Sequence, residues 1–597
     1  MENVASAPPY RAIPLWVIVL CALAFHGPLL MMQLPANSFD AHFHMSMAEH
    51  YAHHWFDPWN VKSLGGFTQT TYPPLLHQWI AIFSHVIGLS YGFMLVMGAM
   101  LLLLPVAVYR FGKLWVDERA ASYGALASIF LGSLAILSYE SGQIGTLAAT
   151  TLFLMTIPTA YQYVLNGAKK DLIFGLGLCC TAAGAHHATL LFGIPFFILP
   201  TVWLVVQDYR ENNPGASLVT PIRRVILFGV LASVGILVEL LPYFLAVLKD
   251  PIDQRPIPHL SRANFLLMPK WGLHYWVVPV GLVILALPYI LYKGVKEKRL
   301  RPLFAGFYGA LLFGLGGTTP VAKFFLRRAF EILTLERFTF WAVLLAMPFV
   351  GLLAAYLVDR FRKKAVAVLV AAVVAHGAFA VAWNIYFPLI GEPVNVDEVI
   401  KFLNEPGHDR YRYLTLGFGN ALSKIACYTD APSIDGEYNS GRTLPEMTKH
   451  GAGQLSSSKF YGSEGMLALS EILRHSARYG VRYIFVADPY YEPLLTFGGW
   501  HQIDTYNYGK ISVWVNPSVP YAQPIPSPLR PPSWQGIMWG IVPVGISLFT
   551  IAIALMRAKK ALRASREVMA PSSEAEDVPA VDENESLPRT VVPSTTS

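Results

Sequence analysis

Long apolar stretches separated by short polar ones fill the first two thirds of the chain. They recur at 13–32, 91–109, 120–138, 147–165, 172–185, 188–206, 225–246, 275–292, 302–316, 338–358 and 365–385, and once more at 534–556. At about 20 residues per bilayer-crossing helix, the pattern predicts about 12 transmembrane helices. The stretches 172–185 and 302–316 are short and glycine-rich. Segment 73–89 is apolar too, but it carries Pro73, Pro74, His77, Gln78 and His85, and is read as a helix lying on the membrane surface. Between 386 and 533 the pattern changes. Helical pieces from Glu398 and Gly465 alternate with the strand-like RYLTLGF from Arg412 and RYIFVA from Arg482, and DTYNYGKISVWVNP reads as a hairpin. That predicts an α/β domain. The proline-rich run Pro517 to Pro532 ties it to the last helix as a semi-rigid spacer, and the acidic Ser/Pro/Thr tail after Arg566 is predicted to be disordered.

Composition fixes the class. With 54% hydrophobic and 14% charged residues and a mean hydropathy of +0.43, the chain is too apolar for an ordinary soluble protein. The net charge of +7 raises nucleic-acid binding as a question. Lys and Arg fall in short clusters between apolar spans, the pattern of cytoplasmic loops, so no nucleic-acid partner is expected. If 73–89 does not cross, the clusters 110–119, 169–170, 223–224, 293–301, 360–364 and 557–563 all share the side of the N-terminus. Both termini are then cytoplasmic. Lys323, Arg327, Arg328 and Arg337 fall outside against that rule, which invites a functional reading. Of the four cysteines only Cys427 lies in a polar region, so no disulfide framework can be drawn. Span 13–32 follows Arg11 and lacks a small-residue cleavage site, so it reads as an uncleaved first helix. The expected organisation is a transmembrane module at 1–385 whose first external loop is 33–90, an extracytoplasmic α/β domain at 386–533, a last transmembrane helix at 534–556 and a cytoplasmic tail at 557–597.

That first loop holds the candidate chemistry. Residues 38–56 can form a helix stopped by Asp57-Pro58, on which Asp40 and His44 share one face. A carboxylate and an imidazole so placed suit a base and its orienting partner. The alternative is structural, with Asn37 as the N-cap and Asp40 as a first-turn carboxylate favoured by the helix dipole. Asp40 and His44 could also bind a metal, but helical spacing leaves two ligands per face and nothing completes the set; surface histidines are the plainer account. The aromatic HWFDPWN element suits a headgroup zone.

The D-x-x-x-H of the first external loop, the W-F-D-P-W element, and G-G-F followed by Y-P-P-L together resemble the GT-C superfamily of polyprenyl-phosphate-sugar-dependent membrane glycosyltransferases. They look most like the bacterial membrane proteins labelled 6-pyruvoyl-tetrahydropterin synthase-related, although nothing in the chain supports a pterin enzyme. The resemblance implies a GT-C-like all-α polytopic membrane fold and an inverting transfer of a hexosyl group from a polyprenyl-phosphate-linked sugar to an extracytoplasmic glycan, lipid or protein acceptor. It implies Asp40 as the base toward the acceptor, with Glu140 of the second external loop near the active site. In the fifth loop, where Glu336 and Arg337 offer a carboxylate and a cation, it implies basic residues at the lipid phosphate, and Arg328 could supply further charge there. Tyr72 of the YPPL element and the His186-His187 pair join them as candidate substrate contacts. No Asp-x-Asp stands in the first loop, so no cofactor and no metal site are assigned, and a divalent metal stays open. The location implied is a bacterial inner membrane, among membrane lipids. For the stray cations the plain alternative is contact with lipid headgroups. The alternative function is a non-catalytic lipid-linked carrier, transporter or cell-envelope assembly factor, for which Glu239 is the nearest thing to a buried intramembrane charge.

Overall fold

A computed structural model describes residues 11–251, 256, 259–388, 394–450 and 453–569. There are two compact units, Met1–Thr550 and Ile551–Ser597. In the second, the described residues continue the helix Ser533–Met569; the tail from 570 on lies outside the described residues.

The first unit opens with three helices, α1 (Leu15–Met31), α2 (Ala41–His53) and α3 (Leu75–Ile87). Six helices are long and apolar enough to cross a membrane, or up to eight if two bent pairs each count as one span. The twelve expected are not reached by that measure, for physical reasons. Lys169–Asn212 and Glu336–Tyr386 each hold two of the expected spans in one helix, broken at His186 and Arg362. At 1.5 Å per residue each exceeds the roughly 30 Å bilayer core about twofold. Leu15–Met31 and Arg301–Gly314, at 17 and 14 residues, are short.

Helix α3 has 13 residues, about 20 Å of helix, too short to cross. It is tied instead to the last helix. Gln78 donates to the Trp539 carbonyl at 2.8 Å and the Trp79 indole to Ser547 Oγ at 3.3 Å, both on the last helix. The WFDPW element packs there too, Trp55 donating to the Gly540 carbonyl at 3.0 Å. Its partner is therefore protein, where a headgroup zone was expected.

Two glycines set the tightest helix crossing. A Cβ on Gly124 would strike the Met347 carbonyl, and one on Gly351 the Ala120 carbonyl, so Glu118–Ser128 and Glu336–Tyr386 meet backbone to backbone. Such close approach is what holds helices together where lipid is as apolar as the side chains. Gly351→Ala must push the two apart and is expected to cost about 2 kcal/mol. A melting temperature in detergent within 1 °C of the parent, on the order of a few tenths of a kcal/mol, would show that the crossing is slack.

At one end of the bundle the basic loops meet. Arg299 grips Asp208 at 2.6 and 3.0 Å and the Leu114 carbonyl at 2.7 Å, Arg119 pairs with Asp359 at 2.5 Å, and Arg224 donates to the Val164 and Leu165 carbonyls. These loops are the ones the charge pattern groups together.

The α/β block carries a four-stranded mixed sheet. With β1 (Arg412–Leu416), β2 (Val481–Val486), β3 (His501–Tyr506) and β4 (Ile511–Val515), the order is β1-β2-β4-β3, β1 and β2 parallel and the rest antiparallel. Alternate side chains go to opposite faces. On one face Tyr413, Phe485 and Val513 pack with Val399 and Leu403 of the helix Asp397–Leu403. On the other, Leu414, Ile484 and Trp514 pack with Leu469 and Ile472 of Gly462–Arg474, and this core also takes in Met47, Leu64 and Phe67 from the first loop. The loop thus completes the block's core. Backbone bonds seal the joint, from Gly65 to Ser433 at 3.0 Å and from Ser433 to Lys62 at 2.9 Å. Gly65 and Gly66, at φ +68° and +113°, supply the turn that no other residue adopts cheaply.

Candidate functional site

Asp40 sits at the N-cap position of α2, where a carboxylate normally accepts from the first-turn amides, yet its side chain makes no cap bond. Asn37 does not cap either; its amide donates to the Gln33 carbonyl at 3.2 Å. Neither side chain thus makes the capping bond that the structural reading supposes, although Asp40 does stand at the N-terminus of the helix. Its backbone is held from outside the helix, because the N–H groups of Phe39 and Asp40 donate to the carbonyls of Glu140 and Ser141 at 2.8 and 3.0 Å. Gly142, at φ +70°, closes this contact, and a side chain there would strike Ser38 Oγ. Freed from capping, the half-buried carboxyl lies within range of the charges of Glu336 and Arg337. Burial pushes it up to about 7, the charge of Glu336 adds to that rise, and Arg337 opposes it.

Glu336 and Arg337 open the helix Glu336–Tyr386. The turn before them is fixed by Arg262, which donates to the Phe330 and Leu333 carbonyls, and by Ser261 Oγ, which accepts from the Leu335 N–H at 2.9 Å. Glu336 Oε1 accepts from Gln143 Nε2 at 2.7 Å. Arg337 donates to Thr334 Oγ1 at 3.0 Å, while its buried Nε meets no protein acceptor. Tyr72 and His186 complete the group, ring centroids 6.1 Å apart. Gly145 leaves the gap they fill, since a Cβ there would lie 3.3 Å from the His186 ring and 3.4 Å from the Tyr72 hydroxyl. Burial, then the Asp40 charge, push the Tyr72 phenol up, against Arg337. The charge of Arg337 is also felt at His186, beside the break where Lys169–Asn212 leaves helical geometry. The half-buried Asp40, Tyr72, His186 and Arg337 and the buried Glu336 thus form one cluster, linked through the charge of Arg337.

The other expected residues stand elsewhere. His44 does not orient Asp40. Its Nδ1 meets Nε2 of His77 at 3.0 Å with the rings stacked at 5.2 Å, and burial drives it down to about 3, so it is neutral. The four-residue spacing puts the two on one helical face only if both lie in the helix, and Asp40 precedes it. The Glu140 carboxylate pairs with Nε2 of His274 at 3.1 Å. Trp383 donates to Nδ1 of that ring at 3.3 Å. Its part at Asp40 is played by its backbone. His187 turns to Tyr243, centroids 4.5 Å apart. Arg328 is exposed, as are Lys323 and Arg327, and none joins the cluster. Among the described residues no group of three His, Cys, Asp or Glu is placed to hold a metal ion.

Several contributors escape a reading by sequence spacing. Gln143 and His259 reach Glu336 from other loops. Tyr438 of the α/β block donates to the Thr71 carbonyl at 2.7 Å and sets its ring 5.8 Å from those of Phe43 and Tyr72. Its neighbour Glu437 is close enough to feel the charge of Asp40. The only sign of these two in the sequence is the polar, glycine-rich run SIDGEYNSGR, which breaks the helix and strand periods.

No protein-family model and no curated protein matches the chain. Solved structures do. The oligosaccharyltransferase of Archaeoglobus fulgidus in its apo form matches at 14% identity over 81% of this chain and 70% of its own, TM-score 0.53. ArnT from Cupriavidus metallidurans, solved with undecaprenyl phosphate, matches at 12% identity over 85% of this chain and 99% of its own, TM-score 0.52. The mycobacterial arabinofuranosyltransferase AftD matches at 11% identity over 85% of this chain and 42% of its own, TM-score 0.50. These three are GT-C glycosyltransferases, and the fold of this chain is the GT-C fold.

Proposed function

We propose that the protein is an integral membrane glycosyltransferase that moves a sugar, a hexosyl group, from a polyprenyl phosphate to an acceptor outside the cytoplasmic membrane, with inversion and with Asp40 as base. The observation that carries this is the Asp40 carboxyl, uncapped at a helix N-terminus and turned into a cluster with Arg337 and Tyr72. A base tuned to about 7 is half ionised at neutral pH, where it can take the acceptor's proton as the new bond forms. Arg337, with a buried Nε lacking a protein acceptor, suits the leaving phosphate. An inverting transfer needs the base and the phosphate site on opposite sides of one anomeric carbon, and the influence of the Arg337 charge on Asp40 supports that reading. The fold supports the donor class, for ArnT was solved with undecaprenyl phosphate and the archaeal enzyme with a dolichol-phosphate. The cytoplasmic placing of both termini and the division into membrane module and α/β domain rest on the charge and periodicity patterns, and the same holds for the inner membrane as location.

The test is direct. The full chain in proteoliposomes is given undecaprenyl-phosphate-linked hexoses of known anomeric configuration, and the product is read by NMR. Transfer with inversion is expected; retention would sink the single-displacement mechanism, and no protein-dependent loss of donor would sink the reading. A second reading, a lipid-linked carrier, is favoured by Glu239, fully buried at the end of Val219–Glu239 with neither carboxyl oxygen hydrogen-bonded to protein. Under that reading Glu239→Gln stops movement of the lipid-linked sugar and Asp40→Asn does not.

A further inference from the structure

Asp40, Tyr72, His186 and Glu336 all meet one short turn, 140–146, and Arg337 meets it through a shared hydroxyl. The carbonyls of Glu140 and Ser141 receive the N–H groups of Phe39 and Asp40, and Gly142 lies so near that a Cβ there would stand 3.1 Å from the Asp40 nitrogen. Gly145 backs onto the His186 ring and the Tyr72 hydroxyl. Gln143 reaches the rest. Its Nε2 donates to Glu336 Oε1 at 2.7 Å and to Thr334 Oγ1 at 3.4 Å, the same hydroxyl that accepts from Arg337 at 3.0 Å. A carboxylate only accepts, so the NH2 end of the amide faces Glu336. The carbonyl end is left for Thr146, whose hydroxyl donates to Gln143 Oε1 at 3.2 Å. The turn is itself anchored. The N–H groups of Ser141 and Gln143 donate to the Ile136 and Leu137 carbonyls, each at 2.9 Å, closing it on the π-helical turn Ile136–Glu140. Glu140 pairs with His274 at 3.1 Å, both side chains 4% exposed, and His274 belongs to a second π-helical turn, Leu273–Val277. Such turns are rare and gather at functional sites. One end of the stretch 140–146 thus holds the backbone of Asp40, and Gln143 carries that hold across to the fifth loop.

We infer that Gln143 is a positioning residue, which fixes the separation of Asp40 and Arg337 by tying the turn behind Asp40 to the start of the helix Glu336–Tyr386. What that separation serves rests on the transferase reading, in which the base and the phosphate site must stand in line across one anomeric carbon. Thr334 still holds Arg337 when Gln143 is removed, so phosphate binding survives the loss. Alignment does not.

The full chain in proteoliposomes is given undecaprenyl-phosphate-linked hexoses, and undecaprenyl phosphate alone is the binding probe. Gln143→Ala is expected to lower kcat about 30-fold while the Kd for undecaprenyl phosphate stays within about threefold. Gln143→Glu keeps the length of the side chain and can donate to Glu336 only while protonated, because two facing carboxyls share a proton at low pH and repel once both are ionised. Counted per molecule that binds undecaprenyl phosphate, the activity of this variant relative to the parent should therefore fall about tenfold between pH 6 and pH 8. A merely structural role leaves that ratio flat, or lowers binding together with kcat, and either result overturns the inference. An unchanged kcat in Gln143→Ala does so too. Hydrogen exchange of the peptide that holds Phe39 and Asp40, read by mass spectrometry, works without turnover. In Gln143→Ala it should run about fivefold faster than in the parent, since the carbonyls that receive those N–H groups have lost their tie. Faster exchange without sugar transfer by the parent keeps Gln143 as the residue that positions Asp40 and sinks the transferase reading, whereas transfer by the parent with unchanged exchange in Gln143→Ala does the reverse.

Discussion

Asp40→Asn is expected to lower sugar transfer about 10³-fold, or ~4 kcal/mol of transition-state stabilisation, with the KM values for donor and acceptor nearly unchanged. The geometry explains why the loss should fall on kcat. Asp40 makes no cap bond that its removal would break, and its backbone N–H donates to the Ser141 carbonyl, a bond that asparagine leaves intact. In the parent, activity should rise tenfold per pH unit up to about 7 and level off above it, because the carboxyl must be ionised to accept a proton and burial holds it up to about 7. The variant should lack that limb. Stability runs the other way. A carboxyl whose folded-state value lies above its ordinary value of 3.8 binds its proton more tightly in the folded chain, so its contribution is greatest at low pH and is lost as pH rises from about 4 to about 7. Asparagine never ionises, so the variant should melt no lower than the parent at pH 8. A variant that keeps more than a tenth of the parent activity at pH 7.5, correctly inserted, would remove Asp40 from the chemistry.

The reach of the sequence differs between fold and site. Period and charge are local signals, and what they encode was legible: the apolar helices, a separate short helix α3 of 13 residues, contacts among several of the basic loops, and the pieces of the mixed sheet from Arg412 to Val515. Counting spans was harder, because a break such as that at His186 or Arg362 leaves no proline or glycine at the position itself. Within the site, the candidates Asp40, Tyr72, His186, Glu336 and Arg337 lie together, whereas the side chains of Glu140, His187 and Arg328 stand apart from them. His44 was assigned by a four-residue interval along a helix that in fact starts one residue after Asp40, and it pairs with His77 from another helix. Glu437 lies 397 positions from Asp40 along the chain, 437 less 40, and only the docking of the α/β block onto Met47, Leu64 and Phe67 brings it there. No pattern within one segment encodes a meeting of that kind.

Arg337→Ala should have the second-largest effect, a loss of about 10² to 10³ in kcat/KM for the donor, because a charge-assisted, two-pronged contact to a phosphate leaves with the guanidinium. Loss of affinity alone would not distinguish phosphate binding from a general disturbance of the helix start. The pH profile does. Arg337 is the group that holds the Asp40 carboxyl down against burial and Glu336. Without it the carboxyl rises further, and the acid limb must move to higher pH in kcat as well as in kcat/KM. Arg337→Lys keeps the positive charge but loses the fork geometry, so it should leave the limb in place while donor affinity still falls. Donor affinity and base tuning are thus read separately from two variants at one position. If the limb of Arg337→Ala coincides with that of the parent, Arg337 and Asp40 do not share a site. Conversely, if the lysine variant moves the limb as far as alanine does, the tuning of Asp40 depends on the packing of the arginine side chain rather than on its charge.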